Sequence, residues 1–296
     1  MTVGVTTQHP FSEKPYLTVA EYVNAPTAID FNNLVVGGNS AAQSAELYNV
    51  IIRASSFMDE YLNQNLNATT MVENQRTRFT PEGYIALHPN NNPVISLSSF
   101  EYGSTPNNLQ TLTDCSQVWF EDQQIIIPVS QMAMQYSSQG PLSFGGAGST
   151  RNQIFTRYTY VAGYVNNLIA TATAGQSSLT VQDADGIVAG MSLRISDGAN
   201  SENVVVSSTY TYGSTTVPLA SALAYSHANT TVIGNLPNTI KQACILVTTA
   251  FLKTRGDASM TMTMTVNPSR NVTSNQLYGS EIGMALQMLD LYKRVR

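Results

Sequence analysis

The hydrophobic positions of this chain follow a helical period first, a strand period through the middle, and a helical period again near the end. The clearest segment is residues 40–63, where apolar side chains recur every three or four positions. Ser40 with Gln43 three positions later predicts a capping box that begins this helix. The apolar stripe is broad enough to predict packing against several other helices, and its members are Leu47, Val50, Ile51, Ala54, Phe57, Met58, Tyr61 and Leu62.

Two short helices are expected ahead of this long one. Thr18 and Glu21 form a second capping box, which predicts a helix that stops before Pro26. A further helical piece is expected over residues 28–35, where a glycine pair then breaks the chain. The first sixty residues are therefore predicted to be helical.

Two more helices are expected near the end of the chain. Pro237 suits the first position of one helix, and Gly256 suits its end. Ser280 is expected to cap the last helix. The two apolar stripes are Ile240, Ala243, Cys244, Val247, Ala250 and Phe251, and then Ile282, Ala285, Leu286, Leu289 and Tyr292.

The middle of the chain has the composition of β-structure. Short runs of β-branched and aromatic residues alternate with Gly, Pro, Asn and Asp, which favours antiparallel strands joined by hairpins. The first group of predicted strands comprises residues 76–80, 84–88, 94–102, 117–121, 124–129 and 154–163. Residues 168–235 hold a second group without a helical pattern, at 178–181, 191–195, 203–209, 215–219 and 230–233.

These patterns predict an α+β fold with two parts. Residues 1–167 together with 236–296 are expected to form a core in which helices surround a small antiparallel sheet. Residues 168–235 are expected to form a small all-β domain inserted into that core. Two further segments are predicted from composition: a mobile glycine-rich loop at 140–150, and a strand or extended arm at 259–266, SMTMTMTV.

Charged residues are scarce, at 11% of the chain against about a quarter in typical proteins. Such a surface suits β-structure and extensive contact with other proteins. The formal net charge of -5 argues against a chain whose main task is to grip nucleic acid, because phosphate binding needs clustered Lys and Arg. It leaves open a passage through which nucleic acid slides.

Targeting and redox signals are few. Neither a signal-peptide pattern nor an apolar run of membrane-spanning length is visible, so the chain is expected to be made in a cytoplasm without a membrane anchor. Cys115 and Cys244 lie in different kinds of segment, and both are expected to be reduced.

Candidate chemistry is sparse. His9, His88 and His227 have no second metal ligand at suitable spacing and are interpreted as surface or turn residues. The sequence at 183–186, DADG, lacks the later carboxylates of a calcium loop and predicts a β-turn. The glycines at 145–148 lack the Lys of a phosphate loop. No cofactor, metal or catalytic residue is predicted, and an enzyme is the weakest class.

Four stretches, taken in order and spacing, carry a family resemblance. They are residues 16–19, YLTV, leading to the helix ELYNVIIRASSFMDEYLN; residues 93–103; residues 158–164, YTYVAGY, resumed at 236–243, LPNTIKQA; and residues 288–294, MLDLYKR. Together they resemble the head-tail connector, or adaptor, proteins of long-tailed bacteriophages. In that family the strand passes to the Pro-started helix within a few residues, whereas residues 168–235 intervene here.

The resemblance implies a structural virion protein at the neck between capsid and tail. It implies a ring of identical subunits, usually twelve, bound to the portal protein on one side and to a stopper or tail-completion protein on the other. DNA would pass through the lumen without sequence-specific binding. It also implies that the last helix docks on the portal through Leu291, Tyr292, Lys293, Arg294 and Arg296.

Other interpretations stay open. The basic end of the last helix is also explained by simple capping, since cations suit a helix C-terminus. The inserted segment resembles a β-module of virion proteins through LTVQDADGIVAGMSLRI, and its role is either outward contact with virion neighbours or carbohydrate binding. The whole chain is alternatively another neck or tail-completion protein, or a β-rich receptor- or glycan-binding virion protein.

Overall fold

A computed structural model describes residues 14–27, 29–78, 80, 84–121, 123–128, 153–253 and 279–293. The described residues form an α+β fold, which is the class predicted from the sequence. Most of its elements are strands. The helices are α1 (Val19–Val23), α2 (Ser40–Leu62), α3 (Asn238–Lys253) and α4 (Gly279–Leu289). The first seven strands are β1 (Thr69–Arg78), β2 (Tyr84–Leu87), β3 (Val94–Thr105), β4 (Asn108–Thr111), β5 (Trp119–Glu121), β6 (Gln124–Pro128) and β7 (Gln153–Ala162). The other six are β8 (Asn166–Leu168), β9 (Ser178–Thr180), β10 (Ser192–Ser196), β11 (Glu202–Val205), β12 (Thr216–Pro218) and β13 (Val232–Gly234).

The chain divides into two compact units. The β unit comprises the described residues of Ala68–Asn235, and the helical unit comprises those of His9–Asn67 and Leu236–Arg296. The predicted boundaries of an inserted domain at residues 168–235 stay a prediction.

The first half of the β unit is built on an antiparallel sheet of order β1-β7-β3-β4 beside a three-stranded sheet of order β2-β6-β5. Period-two alternation places apolar side chains from both sheets in one cluster. Its largest members are fully buried aromatic rings, Phe100, Tyr158 and Tyr160. Strand β1 is longer than predicted and pairs with β7 along its whole length, from Thr69 opposite Ala162 to Arg78 opposite Gln153.

The second half of the β unit has a separate apolar cluster. Strands β11-β10-β13-β8 form one small sheet and β12-β9 form another, and both are antiparallel. The cluster contains Ile187, Ile195, Val217 and Ile233, all fully buried. At the boundary of the two halves, Gly186 has a φ of +80°, and a Cβ atom there would lie 2.3 Å from the Cβ of Ala68.

The helical unit packs α2 against α3 and α3 against α4. The rings of Phe57 and Phe251 meet edge to face, with centroids 5.9 Å apart. The predicted stripe of α2 is buried at Leu47, Ile51 and Met58, which confirms that this face of the helix is the buried one.

Several local predictions were wrong. The long helix is capped by Asn39, whose side chain accepts from the N–H of Ala42, so Ser40 is its first residue rather than its cap. The described part of the helix predicted at 28–35 contains a turn and a bend and no helix. Helix α4 begins at Gly279, one residue before its predicted cap.

The capping box of Thr18 and Glu21 is present as predicted. The segments 140–150 and 259–266 lie outside the described residues.

Candidate docking surface at the C-terminal turn

The predicted docking residues follow helix α4 directly. The buried face of α4 consists of Ala285, Leu286 and Leu289, which fixes the orientation of the helix in its unit. Nζ of Lys253 lies 2.5 Å from Oε1 of Glu281, and this ion pair links α3 to α4. After Leu289 the chain tightens into a 3-10 turn at Asp290–Tyr292.

Three side-chain contacts fix this turn against the end of α2. The hydroxyl of Tyr61 donates a hydrogen bond to Oδ1 of Asp290. The ammonium of Lys293 lies over the ring of Tyr61, 4.1 Å from its centroid, in a cation-π contact. Nε2 of Gln64 donates to the carbonyl of Tyr292 at 2.6 Å. Each residue of the turn except Leu291 is therefore held by a partner in or just beyond α2.

The electrostatics of Tyr61 agree with this geometry. Partial desolvation, the hydrogen bond to Asp290 and the charge of that carboxylate together raise the pKa of Tyr61 to about 12. The phenol therefore stays protonated, and remains a donor, throughout the physiological pH range.

Leu291 is presented to solvent by this fixed turn. Its side chain is 90% exposed, the second-highest value among the large exposed apolar residues described. Met284 lies two helical turns earlier and is 45% exposed, so it shares approximately the same face. Because isolated exposed apolar residues are common on protein surfaces, the distinguishing feature is the rigid support beneath Leu291.

The structure brings together three of the five predicted docking residues, namely Leu291, Tyr292 and Lys293. Arg294 and Arg296 lie outside the described residues. Sequence reasoning missed the supports, Tyr61 and Gln64, because a contact across about 230 positions leaves no local signal. It interpreted Tyr61 only as a member of the apolar stripe of α2.

His227 departs from its predicted role as a surface or turn residue. Its side chain is fully buried, with Nδ1 3.0 Å from Oδ2 of Asp197 and Nε2 2.9 Å from Oε1 of Glu202. Glu202 also accepts from the backbone N–H groups of Ala224 and Tyr225. Burial opposes ionisation of Glu202, but these hydrogen bonds outweigh it and lower the pKa of the carboxyl. The histidine therefore joins two loops of the β unit.

A buried carboxylate organises the first half of the β unit. Glu73 accepts from the hydroxyl of Tyr158 at 3.0 Å and from that of Tyr160 at 2.5 Å. It also accepts from the N–H of Asn90 at 3.0 Å. Burial, followed by the Glu73 charge and hydrogen bond, raises the pKa of Tyr160 well above its usual value. All these partners are internal, so the arrangement is a structural network.

The other residues that the sequence analysis singled out are a turn and two cysteines. The turn after Asp183 is closed by the N–H of Asp185 donating to Oδ1 of Asp183, at 2.8 Å. Cys115 and Cys244 are free thiols, and burial raises the pKa of Cys244 to about 12. Across the described ranges, no cluster of three or more His, Cys, Asp or Glu side chains is arranged to hold a metal ion.

Comparison with known proteins adds no relative. No family model, no curated protein and no solved structure matches the chain. Among the helices described, none combines the length and apolar character needed to cross a bilayer.

Proposed function

We propose that the protein is a structural virion protein, a head-tail adaptor that forms a ring, binds the portal protein and links the capsid to the tail. The observation that carries the proposal is the C-terminal turn, in which Leu291 is exposed while its neighbours are held by Tyr61 and Gln64. A pre-organised apolar side chain loses little conformational entropy on docking, which is the property required of an anchor residue.

Charge distribution also supports this role. The scarcity of charge leaves large areas that another protein can cover at a small desolvation cost. The net charge of -5 favours a ring whose lumen lets DNA slide without gripping it. The helical core of the adaptor, the insertion of residues 168–235 and the twelvefold ring belong to this proposal.

The test is binding of the full chain to the portal protein encoded in the same genome. Leu291→Asp places a charge at the centre of the docking surface and leaves Tyr61, Gln64 and Asp290 intact. We expect it to weaken portal binding at least tenfold, as loss of an interface anchor does. Val205→Asp, at an exposed valine of the β unit, is the matched control and should bind as the wild type does. Equal binding by Leu291→Asp would reject this docking site.

A second candidate, a glycan-binding virion protein, rests on a different observation. Strand β5 is at the edge of its sheet and exposes Trp119 at 37%, and the Trp119 ring meets that of Tyr84 edge to face with centroids 5.1 Å apart. Exposed aromatic rings with a polar rim provide apolar faces for ligands such as sugars. Trp119 is the single tryptophan of the chain, so its fluorescence reports this surface alone. A saturable change in this emission with host-surface polysaccharide, lost in Tyr84→Ser, would favour this function, and an unchanged emission would exclude it.

A further inference from the structure

The outward face of the sheet β1-β7-β3 carries arginine side chains that are far apart in the sequence. Arg76 and Arg78 are exposed on β1, and Arg157 is exposed on β7. The other face of the sheet carries the buried rings of Tyr158 and Tyr160, and side chains alternate between the two faces. The chain has 14 Lys and Arg residues, and strand pairing brings three of them to this one face. Folding therefore forms a basic cluster that the sequence does not show.

The strand register places an aromatic ring beside these charges. Arg76 lies directly opposite Phe155, whose side chain is partly exposed, and Phe155 lies directly opposite Gly103 on β3. Directly opposite residues of antiparallel strands share a face, with Cβ atoms about 4.5–5.5 Å apart. Gly103 has no side chain that covers the ring from β3. We name Arg76, Arg78, Phe155 and Arg157 the arginine face.

The arginine face has an excess of positive charge. Arg157 forms an exposed ion pair with Glu101 at 3.5 Å, and Glu101 is the single carboxylate on the outward side of the three strands. Among the described residues, Arg76 and Arg78 take part in no ion pair. Three arginines against one glutamate leave an excess of two positive charges, in a chain whose net charge is -5.

The opposite end of this sheet face is covered by the second half of the β unit. The hydroxyl of Tyr212 hydrogen-bonds with Thr70 and Ser96, and the two carboxylates of the turn at 183–185 lie close to it. Thr70 and Arg76 are about 20 Å apart along β1, at about 3.3 Å per residue. A ligand therefore reaches the arginine face without passing those carboxylates.

The combination of charge and ring identifies the class of ligand. An arginine donates paired hydrogen bonds to phosphate oxygens, and a phenyl ring stacks on any unpaired nucleobase. Arg76 and Arg78 are about 7 Å apart along β1, which is comparable with the separation of successive phosphates in an extended nucleic acid strand. A duplex keeps its bases stacked on one another and an acidic peptide has none, so neither uses the ring.

We propose that the arginine face binds single-stranded nucleic acid, with phosphates on Arg76 and Arg78 and a base stacked on Phe155. This function goes beyond the proposed adaptor role and does not depend on it. The arginine face belongs to the β unit, whereas the proposed portal contact belongs to the helical unit. The small number of charges predicts weak, salt-sensitive binding, with a dissociation constant of about 1–100 µM.

The direct test is fluorescence anisotropy of a labelled oligothymidylate of about 12 nucleotides, titrated with the full chain. Saturable binding is expected, and competition with unlabelled oligouridylate shows whether RNA is bound as well as DNA. A duplex of the same length and polyglutamate should each compete at least fivefold less well. Equal competition by the duplex or by polyglutamate would overturn the inference, because charge alone would then explain binding. Lack of saturation at about 100 µM protein would overturn it as well.

Substitutions separate the contributions of charge and ring. Arg76→Gln should weaken binding and reduce the slope of log K against log salt concentration by about 0.7, as loss of one phosphate contact does. Phe155→Leu should weaken binding at least fivefold and leave that slope unchanged, since it removes only stacking. Arg194→Gln, at an exposed arginine of β10 in the same unit, is the matched control and should bind as the wild type does.

Glu101→Gln gives a test in the opposite direction. It removes the single carboxylate beside the arginine face and frees Arg157, so binding should become at least twofold tighter. A gain in affinity cannot result from misfolding, and circular dichroism checks the fold of the weakened variants. Equal effects of Arg76→Gln and Arg194→Gln would overturn the inference, as would unchanged binding by Glu101→Gln. Each of these outcomes leaves the portal-binding test unaffected.

Discussion

The carboxylate of Asp290 accepts a hydrogen bond from the hydroxyl of Tyr61, a residue 229 positions earlier in the chain. This bond connects the end of the longest described helix to the turn that presents Leu291. It also places the Tyr61 ring beneath the ammonium of Lys293. The candidate docking surface thus depends on a residue that is far from it in sequence.

Tyr61→Phe tests this dependence because it removes the hydroxyl and keeps the ring. The bond is largely exposed, so the expected loss in the free energy of unfolding is small, about 0.5 kcal/mol. Amide hydrogen exchange at Leu291 to Lys293 should nevertheless become faster, since the turn loses one of its three supports. Tyr225→Phe, at an exposed tyrosine of the β unit, is the control. An unchanged exchange rate at the turn would contradict the assigned role of Tyr61.

Glu73→Gln should destabilise the β unit strongly. Glu73 accepts from two tyrosine hydroxyls and a backbone N–H, and an amide cannot accept all three with its single oxygen. Loss of a buried charge-assisted bond costs about 2 kcal/mol, measurable as a lower urea midpoint. Glu101→Gln removes an exposed ion pair to Arg157 at 3.5 Å and should cost about 0.5 kcal/mol or less. Equal losses in the free energy of unfolding would show that the Glu73 network stabilises the protein no more than an exposed ion pair does.

Two glycines of the β unit with the same backbone conformation separate strain from contact. Gly186 and Gly190 have φ values of +80° and +79°. Changing either glycine to Ala should lower the free energy of unfolding by about 1 kcal/mol, because Ala is strained at a positive φ. A Cβ at 186 would also lie 2.3 Å from the Cβ of Ala68, whereas none of the surrounding atoms lies within 4 Å at 190. Gly186→Ala should therefore lose about 1–3 kcal/mol more in thermal unfolding. Similar losses would mean that the close contact at Ala68 is absent.

Acid should destabilise the loops that His227 joins. The pKa of Glu202 is lowered in the folded protein, because hydrogen bonds from Ala224, His227 and Tyr225 outweigh burial. A carboxyl with a depressed folded pKa contributes stability above its unfolded value of about 4.5, and that contribution is lost as pH falls below it. Hydrogen exchange at residues 224–227 should accelerate in that range. Glu202→Gln should reduce the dependence on pH, and an unchanged pH profile would refute this assignment.

The sequence predicted helices and strands more successfully than the side-chain contacts that hold them in place. Helical and strand periods are local, so the apolar faces of α2, α3 and α4 and most strands were identified from spacing alone. The failures have a common cause. Ser40 and Gln43 fit a capping box in spacing, but Asn39 takes the capping position and Gln43 turns to the backbone of Val35. Competition among neighbouring polar residues is decided by tertiary geometry.

Residues at the candidate site show the same limit. Leu291 to Lys293 were predicted as a group because they are consecutive, whereas Tyr61 and Gln64 were not, because only folding brings them there. His227 was interpreted as a surface residue because its partners, Asp197 and Glu202, are 30 and 25 positions away. No spacing rule connects side chains across loops of that length.

The helical unit is assembled from two stretches of chain separated by the entire β unit. During synthesis, α2 leaves the ribosome well before α3 and α4 exist, by about 10–30 s at typical elongation rates. During that time the apolar stripe of α2 lacks α3 and α4 to pack against, whereas the β unit can already fold. A truncated chain would contain Tyr61 but neither Asp290 nor Leu291. In the proposed adaptor role, the presence of the turn would therefore distinguish a finished chain from an unfinished one and keep incomplete chains out of the ring.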